Sequence, residues 1–117
     1  MIVNIKCITF SGILESFTSL GCWKDKVPRA IVDGYEGHTD IQGCFERAKA
    51  LGNNVFAVQN GKECWTTATA GETYNKYGVT NGCSASGTGG KMANEVYKIG
   101  KMYIEQASAY RYYHKSS

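Results

Sequence analysis

The clearest apolar pattern along the chain is a helical stripe between Ile41 and Leu51, where apolar residues recur every three or four positions. Thr39 and Gln42 form a capping box at its start. Gly52 supplies the left-handed residue with which many helices end. The pattern therefore predicts one amphipathic helix over this segment.

The segments around this helix carry the signals of strands. Residues 20–25 are typical of a short strand that runs into a turn, and residues 95–99 of a closing strand. Residues 55–66 predict a hairpin around Asn60-Gly61, because both central positions of a type I′ turn need positive φ. The predicted fold class is a small α+β domain, with one main helix packed on a short antiparallel sheet.

The two ends of the chain differ from this central domain. Residues 1–18 begin apolar and are interpreted either as an N-terminal extension or as a degraded targeting segment. At the other end, apolar and aromatic residues from Ile99 to Tyr113 recur at helical spacing. We therefore expect a domain over 19–99, followed by a tyrosine-rich helical tail over 100–117.

Composition excludes several classes of protein. The chain has 117 residues, 43% of them apolar, with a net charge of +3. A charge this small argues against nucleic acid as a partner, and no apolar run approaches the roughly 18 residues of a membrane-spanning helix. The chain lacks the local ligand pairs typical of zinc sites, so we expect neither metal nor cofactor.

The cysteines indicate an oxidising compartment. There are five, and Cys22, Cys44, Cys64 and Cys83 stand alone at long intervals. Such spacing favours two long-range disulfides over buried free thiols, and hence a secreted protein stapled by disulfides. Cys7 is the odd cysteine and lies in the N-terminal extension.

Five short motifs, in order, resemble the WSC domain, a small cysteine-rich extracellular module. Residues 21–25 (GCWKD) and 29–31 (RAI) are similar to its GCYxD…RAL opening. Residues 41–44 (IQGC) resemble its helix with the second cysteine, and residues 56–65 (FAVQNGKECW) its hairpin. Residues 89–97 are similar to its closing CGG…vY segment. The resemblance covers residues 19–99.

The chain departs from the WSC pattern in its number of cysteines. The family pattern has eight cysteines, and this chain keeps four of them. Ala48, Thr66 and Thr88 stand where the family has cysteines. The resemblance implies the retained disulfides Cys22–Cys83 and Cys44–Cys64. A sister family of reduced WSC-like modules is the open alternative to membership.

The resemblance implies a function in glycan binding or cell adhesion, without catalysis. Aromatic faces bind sugar C–H surfaces, and amide and carboxylate groups bind hydroxyls. The expected partners are glycans or glycoproteins. The candidate ligand-binding residues are Tyr35, Asn60, Glu63, Trp65, Tyr74 and Tyr77. In the alternative interpretation, Trp23 and Trp65 pack against disulfides in the core.

Other functions have weaker support in the sequence. Cys–His catalysis would need a free thiol beside His38 or His114, and a metal site at His38 and Asp40 competes with an ordinary solvated loop. A second class of function is a structural or matrix protein without a specific ligand. It would form homo-oligomers through the helical stripe of residues 99–113.

Overall fold

The computed structural model describes the backbone of residues 11–105 and the side chains of residues 12–101. Phe17–Ile99 forms one compact unit, and residues 11–16 and 100–105 belong to a second. The helices and strands are β1 (Ser11–Lys24), β2 (Tyr35–His38), α1 (Ile41–Ala50), β3 (Val55–Gln59), β4 (Glu63–Thr66), α2 (Ala70–Thr73) and β5 (Ala93–Glu105).

The five strands form one antiparallel sheet in the order β1-β5-β3-β4-β2. Strand β3 places Ala57 opposite Trp65 of β4 on one side and opposite Val96 of β5 on the other. The short edge strand β2 pairs with β4 through Tyr35 opposite Trp65, and the register shifts before His38. The last strand along the chain thus lies between the first strand and the hairpin.

The β3–β4 hairpin has the turn that its sequence predicts. Asn60 and Gly61 have φ values of 55° and 87°. The backbone N–H of Lys62 donates to the carbonyl of Gln59 over 3.3 Å and closes the turn. The prediction is confirmed, and its physical reason is that Asn and Gly are among the few residues that adopt positive φ at low cost.

Helix α1 confirms the predicted helix but begins at a different cap. Asp40 is the N-cap, and its Oδ1 accepts from the backbone N–H of Gly43 over 2.7 Å. The capping box of Thr39 and Gln42 is therefore wrong. The Gln42 amide donates to Glu46 instead, and the Asp40 carboxylate is the stronger acceptor for a helix N-terminus.

The C-terminus of α1 ends as predicted. Gly52 has a φ of +76° and donates to the carbonyl of Lys49 over 3.0 Å. The N–H of Asn53 donates to the carbonyl of Ala48 over 2.9 Å. The two bonds together form a Schellman motif, which satisfies carbonyls that the helix leaves unpaired.

Two apolar clusters lie on opposite faces of the sheet, because alternate residues of β3 point to opposite sides. The helix face, under α1, contains Cys44, Phe45, Ala48, Phe56, Val58, Cys64, Tyr97 and Ile99. The loop face, under the loop after β1 and under α2, contains Ile31, Val55, Ala57, Trp65, Ala70 and Val96.

Two disulfides connect elements of the domain, and they are the pairs that the WSC resemblance implies. Cys44–Cys64 connects α1 to β4 and is fully buried. Cys22–Cys83 connects β1 to the segment before β5 and is half-buried. The alternative of free thiols is therefore wrong for these four residues. Cys7 lies outside the described residues.

Two glycines and a tyrosine hold the segment before β5 against the hairpin. A Cβ on Gly89 would lie 2.3 Å from the carbonyl oxygen of Val58, and one on Gly90 2.0 Å from that of Gly82. The Tyr97 hydroxyl donates to the carbonyl of Gly87 over 2.6 Å. Burial raises the pKa of the Tyr97 phenol, and the nearby Glu95 carboxylate raises it further.

The structure corrects the predicted fold at both ends of the domain. The fold is mostly sheet rather than clearly α+β. The predicted C-terminal helix is wrong over 99–105, where β5 continues and the Ile99 N–H donates to the Asn54 carbonyl over 2.8 Å. Residues 106–117 lie outside the described residues. Strand β1 begins within the segment interpreted as an extension, at Ser11.

Candidate functional site

The residues predicted to bind a ligand fall into two groups. Four of them come together at the β2–β4 edge of the loop face, whereas Tyr74 and Tyr77 lie in the loop after α2. We define the Tyr35 surface as Arg29, Tyr35, His38, Asn60, Glu63 and Trp65.

Tyr35 presents the exposed aromatic ring of this surface. The residue is 49% exposed, and its ring centroid lies 5.3 Å from that of Trp65 at an interplanar angle of 54°. Trp65 is only 8% exposed and packs with the apolar cluster of the loop face. Trp65 therefore supports Tyr35 from below and leaves little of its own ring for a ligand. It lies in the core, as the alternative interpretation expects, but its cluster contains no cysteine, because Cys44 and Cys64 lie on the helix face.

Polar side chains surround the two rings. The guanidinium of Arg29 lies 4.9 Å from the centroid of Trp65. Trp65 Nε1 donates to Glu63 Oε1 over 3.4 Å, and Asn60 Nδ2 donates to Glu63 Oε2 over 3.5 Å. His38 pairs with Glu63 across the strands, and its ring lies 6.2 Å from that of Tyr35. The surface thus offers a carboxylate, an amide and an imidazole beside an exposed ring.

A buried polar network positions Arg29. Asp25, Gln59 and Asn94 are each 2% exposed or less. Asp25 Oδ1 accepts from the Ala30 N–H over 2.9 Å, and Oδ2 accepts from Arg29 Nη1 over 3.1 Å and Gln59 Nε2 over 2.9 Å. Gln59 Nε2 also donates to Asn94 Oδ1 over 2.8 Å. These bonds fix the loop after β1 on the sheet, with the guanidinium directed over Trp65.

Tyr74 has a packing role in the described structure. Its ring meets Trp23 edge to face, with centroids 5.1 Å apart at 86°. Trp23 Nε1 donates to the carbonyl of Leu20 over 3.0 Å, so both aromatic rings are tied to the loop-face cluster. Tyr74 is half-buried and packs against the loop-face cluster.

Tyr77 has a different environment, which is rich in positive charge. Its hydroxyl donates to the carbonyl of Pro28. The ammonium groups of Lys26 and Lys76 lie 4.8 Å and 5.3 Å from the centroid of its ring. Tyr77 is therefore a half-buried ring flanked by two exposed cations.

The sequence interpretation missed Arg29 and gave His38 only a weak role. Asp25 and Arg29 stand four residues apart with opposite charges, which was the available signal for Arg29. Nothing in the sequence places His38 beside Tyr35, because a register shift in β2 brings the two rings to one side.

Neither a metal site nor a membrane-spanning helix is present in the part of the chain that the structure describes. Within the described side chains, no group of three His, Cys, Asp or Glu residues could hold a metal ion. The helices between residues 11 and 105 are all too short or too polar to cross a membrane.

Comparison with known proteins identifies no relative. No protein-family model matches the chain, and neither a curated protein nor a solved structure matches it. The WSC resemblance therefore stays a prediction from the motifs.

Proposed function

We propose that this chain is a secreted, WSC-like module that binds glycans non-covalently through the Tyr35 surface and performs no catalysis. The observation that carries the proposal is the exposed Tyr35 ring, which rests on the buried Trp65. Its exposed ring is an apolar face beside the polar side chains of His38 and Glu63, and sugar binding uses both kinds of group in one site.

The support beneath Tyr35 favours binding. An aromatic side chain has only two rotatable χ angles, so it contributes contact area at a low cost in conformational entropy. Trp65 and the strand pairing of β2 restrict those angles further in the free protein. A sugar that stacks on Tyr35 therefore loses little affinity to ordering the protein side chain.

The polar groups around the ring suit a neutral sugar. Sugar hydroxyls both donate and accept, so they match a carboxylate, an amide and an imidazole placed around an apolar face. Glu63 receives only long bonds from Trp65 and Asn60, of 3.4 Å and 3.5 Å, and shorter bonds from a ligand would compete with them.

Secretion and WSC-like character rest on the cysteines. Two disulfides in a small domain favour an oxidising compartment. The pairing agrees with the one that the resemblance implies. The tight packing of Gly89 and Gly90 also accounts for a Gly-Gly pair at the position of the family's closing motif.

The test is binding to immobilised neutral and acidic polysaccharides by the wild type and three variants. We expect Tyr35→Ala to lose about tenfold in affinity, which corresponds to about 1.4 kcal/mol, and Tyr35→Phe to retain binding. Leu51→Ala is the control, since Leu51 is 55% exposed at the far end of α1. Equal affinity of Tyr35→Ala and the wild type would overturn the proposal.

Sedimentation velocity on the same samples tests the second class of function. A structural protein that self-associates through residues 99–113 would show a concentration-dependent mass together with no binding to any polysaccharide. The proposed glycan-binding module would bind at a constant mass, and would retain binding after deletion of residues 106–117.

A further inference from the structure

The second group of predicted residues carries an inference about the charge of the glycan. We define the Tyr77 cluster as Tyr77, Lys26 and Lys76. Both ammonium groups lie within 5.3 Å of the centroid of one ring, and Tyr77 is held by its bond to the carbonyl of Pro28. Two positive charges beside one ring make the surroundings of that ring positive, so an anion that binds there is attracted to both.

No acidic side chain in the described part of the chain neutralises these lysines. Neither Lys26 nor Lys76 has a carboxylate partner among residues 12–101, and Glu72, four residues before Lys76, forms no ion pair with it. Asp25, next to Lys26, is buried and bonded to Arg29. The charge of the cluster is therefore available to a ligand.

The Tyr77 cluster is linked to the Tyr35 surface through two consecutive residues, Pro28 and Arg29. The carbonyl of Pro28 accepts from Tyr77, and the guanidinium of Arg29 lies over Trp65, on which Tyr35 rests. Aromatic rings and cations thus follow one another along the loop after β1. An extended polymer that stacks on Tyr35 can reach Tyr77 along this path.

We propose that the Tyr77 cluster binds the carboxylate or sulfate groups of an acidic polysaccharide that also contacts the Tyr35 surface. This inference rests on the proposed glycan-binding function. Charge is distributed unevenly along the path, with Glu63 at one end and the two lysines at the other. The anionic groups of the polymer therefore bind at the Tyr77 end, and its neutral hydroxyls at the Tyr35 end.

Cations with interleaved aromatic rings also bind single-stranded nucleic acid. The two disulfides favour the polysaccharide, because they indicate an extracellular compartment. Single-stranded oligothymidylate is therefore included as a competitor in the test.

The experiment measures binding of the full chain to dextran, dextran sulfate, polygalacturonate and oligothymidylate at low and at physiological salt. We expect dextran sulfate and polygalacturonate to bind more tightly than dextran. The double variant Lys26→Gln/Lys76→Gln should lose about tenfold in affinity for both acidic polymers and show a weaker salt dependence. Lys26→Arg/Lys76→Arg should retain binding, because it keeps both charges.

The matched control is Lys49→Gln/Lys98→Gln, which removes the same charge elsewhere. Lys49 also lies over an aromatic ring, 4.6 Å from the centroid of Phe45, but on the helix face. The inference is overturned if this control loses as much affinity as Lys26→Gln/Lys76→Gln, or if dextran binds as tightly as dextran sulfate. Tighter binding of oligothymidylate than of both acidic polysaccharides would also overturn it.

The two proposals fail in different ways. Loss of neutral glycan binding in Tyr35→Ala, with no effect of Lys26→Gln/Lys76→Gln on any polymer, keeps the proposed function and overturns the acidic site. The opposite result, with an effect of the lysine variant alone, overturns the proposed function of the Tyr35 surface and the extended path, and leaves anion binding at the Tyr77 cluster by itself. Circular dichroism and thermal unfolding of each variant distinguish loss of binding from loss of fold.

Discussion

The two faces of the sheet are closed by different kinds of interaction. On the helix face, α1 covers a cluster of apolar side chains in which Phe45, Phe56 and Tyr97 contact one another. On the loop face, irregular segments cover the sheet. They are held there by the bonds of Asp25 and by cations over the rings of Trp65 and Tyr77.

This difference explains why the candidate site lies on the loop face. An apolar interface with a helix is stable only if its side chains are removed from water, so it presents no chemistry to a ligand. A loop anchored by a buried polar network, and the edge strand β2 that follows it, can carry exposed residues such as Tyr35 without loss of the anchor. The predictions that follow test this division.

The largest expected effect is on the helix face. Phe56→Ala should lower the free energy of unfolding by about 3–5 kcal/mol, because Phe56 is fully buried and leaves a cavity between α1 and the sheet. Val96→Ala, fully buried on the loop face, should cost about 2 kcal/mol. Guanidinium titration measures both, and a cost of Phe56→Ala no greater than that of Val96→Ala would show that Phe56 is not packed between α1 and the sheet as described.

The two disulfides should differ in their reactivity with a reductant. Cys22–Cys83 is half-buried, whereas Cys44–Cys64 is fully buried under α1. We expect mild thiol treatment to open Cys22–Cys83 first, because a thiolate must reach one sulfur atom. Cys22→Ala/Cys83→Ala should cost about 2–4 kcal/mol.

Alkylation followed by peptide mapping identifies which disulfide opens first. Prior reduction of Cys44–Cys64 would show that the fully buried disulfide is the more reactive one, and would contradict the expected order.

The polar network of the loop face should be sensitive to a single atom change. Asp25→Asn keeps the shape but replaces a charged acceptor by a donor that faces Arg29 and Gln59, and should cost about 2 kcal/mol. Asp33→Asn, exposed in the same loop, should cost almost nothing. Thermal unfolding with tryptophan fluorescence measures both variants. Equal stability of the two would show that the network does not anchor the loop.

The smallest expected effect depends on pH. The pKa of Tyr97 is raised above its ordinary value of 10.0, so the fold favours the neutral phenol. Its contribution to stability is complete below pH 10 and is lost as the pH rises through the higher pKa of the folded state. Tyr97→Phe should cost about 1 kcal/mol at neutral pH.

Above pH 10, Tyr97→Phe should lose stability less steeply than the wild type, which urea titrations at a series of pH values would reveal. Parallel pH profiles would show that the Tyr97 phenol ionises equally in the folded and unfolded chains.

Local patterns predicted the parts of the fold that depend on neighbouring residues. The Asn60-Gly61 turn and the Gly52 cap follow from backbone angles that few other residues adopt. The strand at 99–105 could not be separated from a helix, because side chains four positions apart share one side in both structures. Pairing with neighbouring strands, which the periodicity does not report, decides between them.

The residues of the candidate site also divide into those placed by neighbouring residues and those placed by contacts between residues distant in sequence. Asn60, Glu63 and Trp65 lie on one hairpin, so their proximity could be predicted from the turn. Arg29 reaches Trp65 only because Asp25 bonds to Gln59, a contact between residues distant in sequence. The sequence relates Tyr74 and Tyr77 to these residues only through their aromatic side chains and their Gly-rich loop. Their neighbours in the structure depend on the path of that long loop.

The position of β5 in the sheet has a consequence for biosynthesis. This strand lies between β1 and β3, yet it is the last described element to be synthesised. Before it emerges from the ribosome, the chain can form the β3–β4 hairpin and α1 but cannot close either face of the sheet. Folding to the final state, and correct pairing of Cys22 with the late Cys83, must therefore follow synthesis of nearly the whole domain.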